Sequence, residues 1–157
     1  MKIFGFIKQL RWRSLTGVIL ALVATCLVGC GGAQVSGPAT YTNEQLAQIE
    51  ILAPRATELR VLFPELEEFI QNKDWVNISS FIHGPLGELR VRLNRLAMRL
   101  SPPDTKQAKY YAEEVAKHLE KLDAAAGAYN QVEAGNQYRQ ALDDLDAFIA
   151  LIPGQTA

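Results

Sequence analysis

From Trp75 to Leu100 the large apolar residues step by three and four: Trp75, Ile78, Ile82, Leu86, Leu89, Leu93, Leu96 and Leu100. Only a helix puts such a series on one face, since a strand would alternate it between two. Three other stretches share the spacing. Leu46, Ile49, Ala53, Ala56, Leu59, Phe63, Leu66 and Ile70 form one stripe, with Thr42 or Asn43 as its N-cap. Ala108, Tyr111, Val115, Leu119, Leu122, Ala126 and Tyr129 form another that starts near Asp104 or Thr105. Tyr138, Leu142, Leu145, Ile149 and Ile152 form the last, between a stop at Gly135-Asn136 and the closing Pro153-Gly154. Four amphipathic helices joined by a few residues have only one another to cover, so the expected fold is all-α, an up-down-up-down antiparallel four-helix bundle over residues 43–153. Its longer helices, of roughly 26 to 28 residues, would measure about 40 Å, and the last, of about 17, would leave one end less covered.

Prolines punctuate this pattern. Pro54 and Pro64 interrupt the first stripe, which predicts either a kinked helix or a short one ending near Ala53 and a second restarting at Pro54; the phase kept across both favours the kink. Pro102 and Pro103 end the second stripe. Inside that stripe lies His83-Gly84-Pro85-Leu86-Gly87, where Pro85 cannot donate to the carbonyl of Phe81. The bend there either wraps the helix around its neighbours or turns freed carbonyls toward a partner.

The N-terminal region is of another kind. All charge in the first 29 residues is positive (Lys2, Lys8, Arg11, Arg13), and residues 15–28 are an uncharged, mostly apolar run. At 14 residues it is short of the ~20 a membrane-spanning helix needs and suited to the core of an export signal. It ends in Leu27-Val28-Gly29-Cys30, which resembles a bacterial lipobox and implies cleavage before Cys30 and a diacylglycerol thioether on its thiol. The expected organisation is a signal peptide over 1–29, a lipidated Cys30 and flexible tether over 30–42, the bundle, and a short tail over 154–157. The uncharged, Gly-rich tether would reach about 20 Å.

Loss of the signal leaves 12 Lys and Arg against 17 Asp and Glu, a formal charge of −5. An acidic body argues against nucleic acid and against a polybasic membrane surface. Cys26 leaves with the signal and Cys30 carries lipid, so neither a disulfide nor a thiol nucleophile is expected.

Nothing else in the sequence points to catalysis. There is no Glu-x-x-His pair of the di-iron type, no Cys-x-x-Cys-His, no phosphate-binding Gly-x-x-x-x-Gly-Lys and no Gly-x-Ser-x-Gly turn. No resident cofactor or metal is expected. Glu114 and His118 share a helix face and could capture adventitious zinc, but the favoured reading is an exposed pair that stabilises the helix. His83 is read as satisfying a backbone group opened by Pro85. Arg90, Arg92, Arg95 and Arg99 follow Glu88 with no acid among them, and Arg92, Arg95 and Arg99 share a face. They either pair with acids of an adjacent helix or dock on an acidic partner. His83, Gly84, Pro85, Arg92, Arg95 and Arg99 are therefore the candidate partner-binding residues.

Asp74-Trp75, the run Phe81-Ile82-His83-Gly84-Pro85-Leu86-Gly87-Glu88-Leu89-Arg90, Ser101-Pro102-Pro103-Asp104, His118-Leu119-Glu120 and Asp146-Ala147-Phe148 together resemble the PsbQ family. With the lipobox, the resemblance is to its cyanobacterial lipoprotein branch. It implies a non-catalytic extrinsic subunit on the lumenal side of the thylakoid membrane. Such a subunit stabilises the oxygen-evolving side of photosystem II and supports calcium and chloride retention and assembly. The implied partners are the core antenna subunit and the manganese-stabilising protein. The competing expectation is a periplasmic helical-bundle lipoprotein that binds a ligand or metal through His83, His118 or Met98.

Overall fold

The computed structural model describes residues 41–155, so Cys30, the signal segment and most of the tether lie outside the described residues. Among the described residues six helices follow one another: α1 (Asn43–Val61), α2 (Phe63–Gln71), α3 (Trp75–His83), α4 (Leu89–Ala97), α5 (Pro102–Gly127) and α6 (Gln131–Ala150). Among the described residues there is no strand, and no helix is long and apolar enough to cross a membrane.

Thr42 caps α1 reciprocally. Its hydroxyl accepts from the Gln45 N–H at 3.2 Å, while the Gln45 side chain accepts from the Thr42 N–H at 3.0 Å. Pro54 sits inside the helix, so the chain neither ends at Ala53 nor restarts at Pro54. The interruption falls instead at Leu62, and Pro64 opens α2, where its missing N–H needs no intrahelical partner. The prolines at 102 and 103 likewise begin α5 rather than merely ending the preceding stretch.

The second stripe divides into α3 and α4 at Gly84–Glu88. The carbonyl of Phe81, which Pro85 cannot serve, accepts instead from the Leu86 N–H at 3.1 Å. Around that i→i−5 bond the backbone passes so close to itself that a Cβ on Gly84 would lie 2.8 Å from the Ser80 carbonyl oxygen, and one on Gly87 2.6 Å from that of His83. Glycine is required at both positions by close backbone approach. The Phe81 carbonyl freed by Pro85 is thus engaged within the fold.

The boundary expected at Gly135-Asn136 lies elsewhere. Helix α5 ends at Gly127 and Asn130 caps α6 by accepting from the Glu133 N–H at 3.1 Å, so Gly135 and Asn136 are helical and α6 has 20 residues. Tyr129 makes the turn in the left-handed region (φ 57°), with the Asn130 N–H bonded to the Ala125 carbonyl at 2.9 Å. The α2–α3 turn repeats this device: Lys73 has φ 57° and the Asp74 N–H reaches Phe69 at 2.9 Å. Gln131 ties the two turns together, donating to the carbonyls of Ile70 and Gln71 at 3.1 Å each.

Helix α1 packs on α4 and α6, α2 on α3 and α6, and α5 on α3, α4 and α6. Between them lies one apolar core in which Leu59, Phe63, Leu66, Ile78, Leu89, Leu93, Leu96, Val115, Leu122, Leu145 and Phe148 are almost wholly buried. Each such side chain contributes about 1.5–3 kcal/mol by leaving water. The stripes match this core with few exceptions: Leu46 and Tyr129 are exposed, and Tyr111, Leu142 and Trp75 only half-buried, the Trp75 ring edge-on to Tyr129 at 5.8 Å.

Candidate functional site

Helix α4 turns Leu89, Leu93 and Leu96 into the core and leaves Arg92, Arg95 and, just past its end, Arg99 along one flank, Arg92 half-buried and the other two exposed. Their partners differ. Arg92 reaches Glu88 on its own chain segment at 3.0 Å, a solvent-exposed i,i+4 pair. The arginine that crosses to another helix is Arg90, which meets Glu113 of α5 at 2.7 Å. Arg95 and Arg99 are exposed, and among the described residues neither has a carboxylate within 4.0 Å. Pairing with an adjacent helix therefore does not account for the shared face.

Facing Arg95 and Arg92 across an open cleft of about 350 Å³ stand Leu52, Arg55 and Glu58 of α1, with Gly87, Glu88 and Val91 completing the lining. Arg55 is exposed and, among the described residues, also has no carboxylate within 4.0 Å. It was not legible as part of this surface: a lone arginine on a different helix carries no sequence signal that it lies opposite α4.

His83 is exposed, and its Nε2 lies 3.0 Å from Asp123 of α5. It thus joins two helices through side chains and does not serve a backbone group at the bend. Gly84 and Pro85 are exposed beside it.

His118 is buried, contrary to the expected surface pair, with 7% exposure. Its Nδ1 is 2.7 Å from the side-chain oxygen of Gln137, whose own amide donates to Glu133 at 2.7 Å. The amide is therefore oriented with its oxygen toward the ring, and His118 donates from Nδ1. Its Nε2 faces Asp144 of α6 at 3.5 Å and Glu114 at 3.9 Å. Burial pushes the Asp144 carboxyl above its usual range, reinforced by the charges of Glu114 and Asp143 and opposed by His118 and Lys117. Glu114 itself holds the Lys117 ammonium with both oxygens at 3.1 Å. Among the described residues no group of three or more His, Cys, Asp or Glu side chains is placed to hold a metal ion. His83, His118 and Met98 do not converge: His83 pairs with Asp123, His118 with residues of α6, and Met98 is exposed beyond the end of α4.

The family model described as PsbQ, oxygen evolving enhancer protein 3, matches residues 8–153. This defines the class: the helical body is an extrinsic protein of the oxygen-evolving side of photosystem II, and not an enzyme. CyanoQ of Synechocystis sp. is 44% identical over 144 residues, which cover 91% of this chain and 97% of that protein. A probable dual-specificity RNA methyltransferase RlmN of Bacillus velezensis is 28% identical over 94 residues, but these make up only 26% of its length. By its family match and by its likeness to CyanoQ along nearly the whole of both chains, this chain belongs to the PsbQ family. Association with photosystem II on the lumenal side of the thylakoid follows from that membership.

Proposed function

We propose that the chain is exported under the signal of residues 1–29 and held at the lumenal membrane face by lipid on Cys30. Through the Arg92, Arg95 and Arg99 face it docks on neighbouring lumenal subunits, among them the core antenna subunit and the manganese-stabilising protein. Its role there is to shield the oxygen-evolving side, supporting calcium and chloride retention and assembly. The observation that carries the docking reading is electrostatic. In a body of charge −5, residues 89–103 hold four arginines and no acid, and two of the four lack an internal carboxylate among the described residues. Such a face attracts an acidic surface at low ionic strength and loses that attraction within a Debye length of about 8 Å at 0.15 M salt.

The body is read as an up-down-up-down bundle of four arms, α1–α2, α3–α4, α5 and α6. This is supported by the packing of α1 on α4 with α2 on α3, which sets the first two arms antiparallel, and by the short turns at 72–74 and 128–130. The test replaces Arg92, Arg95 and Arg99 together by Gln and adds the protein to photosystem II membranes depleted of it. Unchanged helicity with weakened binding and a flattened salt dependence is expected. Undiminished binding refutes docking through this face.

A further inference from the structure

The cleft between α1 and α4 has an internal order. Because α1 packs on α4 while α2 packs on α3, the two walls run in opposite senses. Of the residues that line the cleft, that opposition sets Glu58 toward Gly87 and Glu88, Arg55 toward Val91 and Arg92, and Leu52 toward Arg95, while Arg99 lies past the lining. One end is acidic, the middle and far end are cationic, and Leu52 and Val91 supply aliphatic surface between them. Val91 is 52% exposed although it sits mid-helix on a wall of this cleft.

We propose that this cleft receives an acidic segment of a lumenal photosystem II protein, in which two carboxylates flank an aliphatic side chain. One carboxylate meets Arg55 and the other Arg95, while the aliphatic group rests between Leu52 and Val91. The inference rests on docking through the arginine face and adds to it a second wall, an occupant and a direction. Charge complementarity selects the occupant. Arg55 and Arg95 come from different helices, so a segment lying along the cleft can engage both. Glu58 repels an acidic chain at one end, where Glu88 is already engaged by Arg92, and so fixes which way it lies. A small dianion would leave the aliphatic floor unused. At about 350 Å³ the cleft holds one or two side chains, which suits an arginine-rich anchor within a larger interface.

The experiment uses the full-length protein and photosystem II membranes prepared without it. Arg55→Gln and Arg95→Gln are each expected to weaken binding about three- to tenfold at low salt, with circular dichroism unchanged. Arg139→Gln, on the exposed side of α6, is expected to bind as wild type. Arg55→Lys and Arg95→Lys keep the charge and introduce an amine, so carbodiimide coupling is expected to join each to an Asp or Glu of one segment in a lumenal subunit. Wild-type binding by Arg55→Gln, with loss only in the variants of Arg95 and Arg99, overturns the cleft and leaves the α4 face standing. Undiminished binding by all of them overturns both. Coupling from Arg139→Lys to the same segment, or from the two cleft positions to different subunits, also overturns the proposal.

Discussion

Replacing Leu93 by Ala probes the phase on which both the core and the arginine face depend, because the turn that buries Leu93 exposes Val91 and Arg95. Leu93 has no exposed surface and lies in the shared core. Truncation removes three carbons, worth about 2.4 kcal/mol at ~0.8 kcal/mol each. A residual cavity of about 50 Å³ would add roughly 1 kcal/mol at ~24 cal/mol per Å³, for a total of about 3–4 kcal/mol. That is a large part of the ~5–15 kcal/mol that holds a domain of this size together. Val91→Ala on the same helix is expected to change stability by less than about 0.5 kcal/mol, since its side chain is already half in water. Urea titration followed by circular dichroism at the helix band reads the difference. With a slope of about 1–3 kcal/mol per M, the Leu93 variant shifts its midpoint down by about 1–4 M and the Val91 variant hardly at all. A loss below about 0.5 kcal/mol at Leu93, or equal losses at both sites, would show that the helix is turned the other way and would remove the basis of the arginine face.

Cys30→Ala is expected to release the protein from membranes or leave an uncleaved precursor with unaltered helicity; a variant that matures and sediments with membranes as wild type does refutes the lipid anchor. Tyr138 packs its ring tilted against Phe63 and donates to Glu67 at 3.3 Å, and burial with the Glu67 charge pushes its phenol up to about 12. A phenol raised above its unfolded value of about 10 stabilises the fold below that pH and loses the contribution as pH rises toward 12. Tyr138→Phe is accordingly expected to flatten the alkaline fall in melting temperature, and an unchanged fall would assign it to other groups. The Asp144 carboxyl, raised mainly by burial, likewise favours the fold below its unfolded pKa and loses that contribution as pH rises through the folded one. Asp144→Asn is therefore expected to gain stability relative to wild type on going from about pH 4 to pH 7; urea titrations at both that show a constant difference would contradict the burial argument.

The helical class and most of the core could be read from residue spacing, because apolar burial is periodic and the period belongs to the local backbone; Phe81 and Phe148, both buried, lie beside the stripes and were not part of them. Leu89, Leu93 and Leu96 are buried for the same reason that they are three and four apart. Helix ends were less legible. Gly135-Asn136 has the composition of a stop, yet both residues lie within α6, while the true turn uses Tyr129 in a left-handed conformation usually left to glycine. Its geometry is held by long-range bonds, such as those from Gln131 to the α2 terminus, and these have no local signature. The same limit applies to function. The family motifs are contiguous in the chain and announce themselves there. The opposition of Arg55 to Arg95, the pairing of His83 with Asp123 and the burial of His118 against Gln137 and Asp144 join residues 19 to 40 positions apart. Each is set by which helix faces pack together, an outcome of the summed burial of the whole core and of no single segment's pattern.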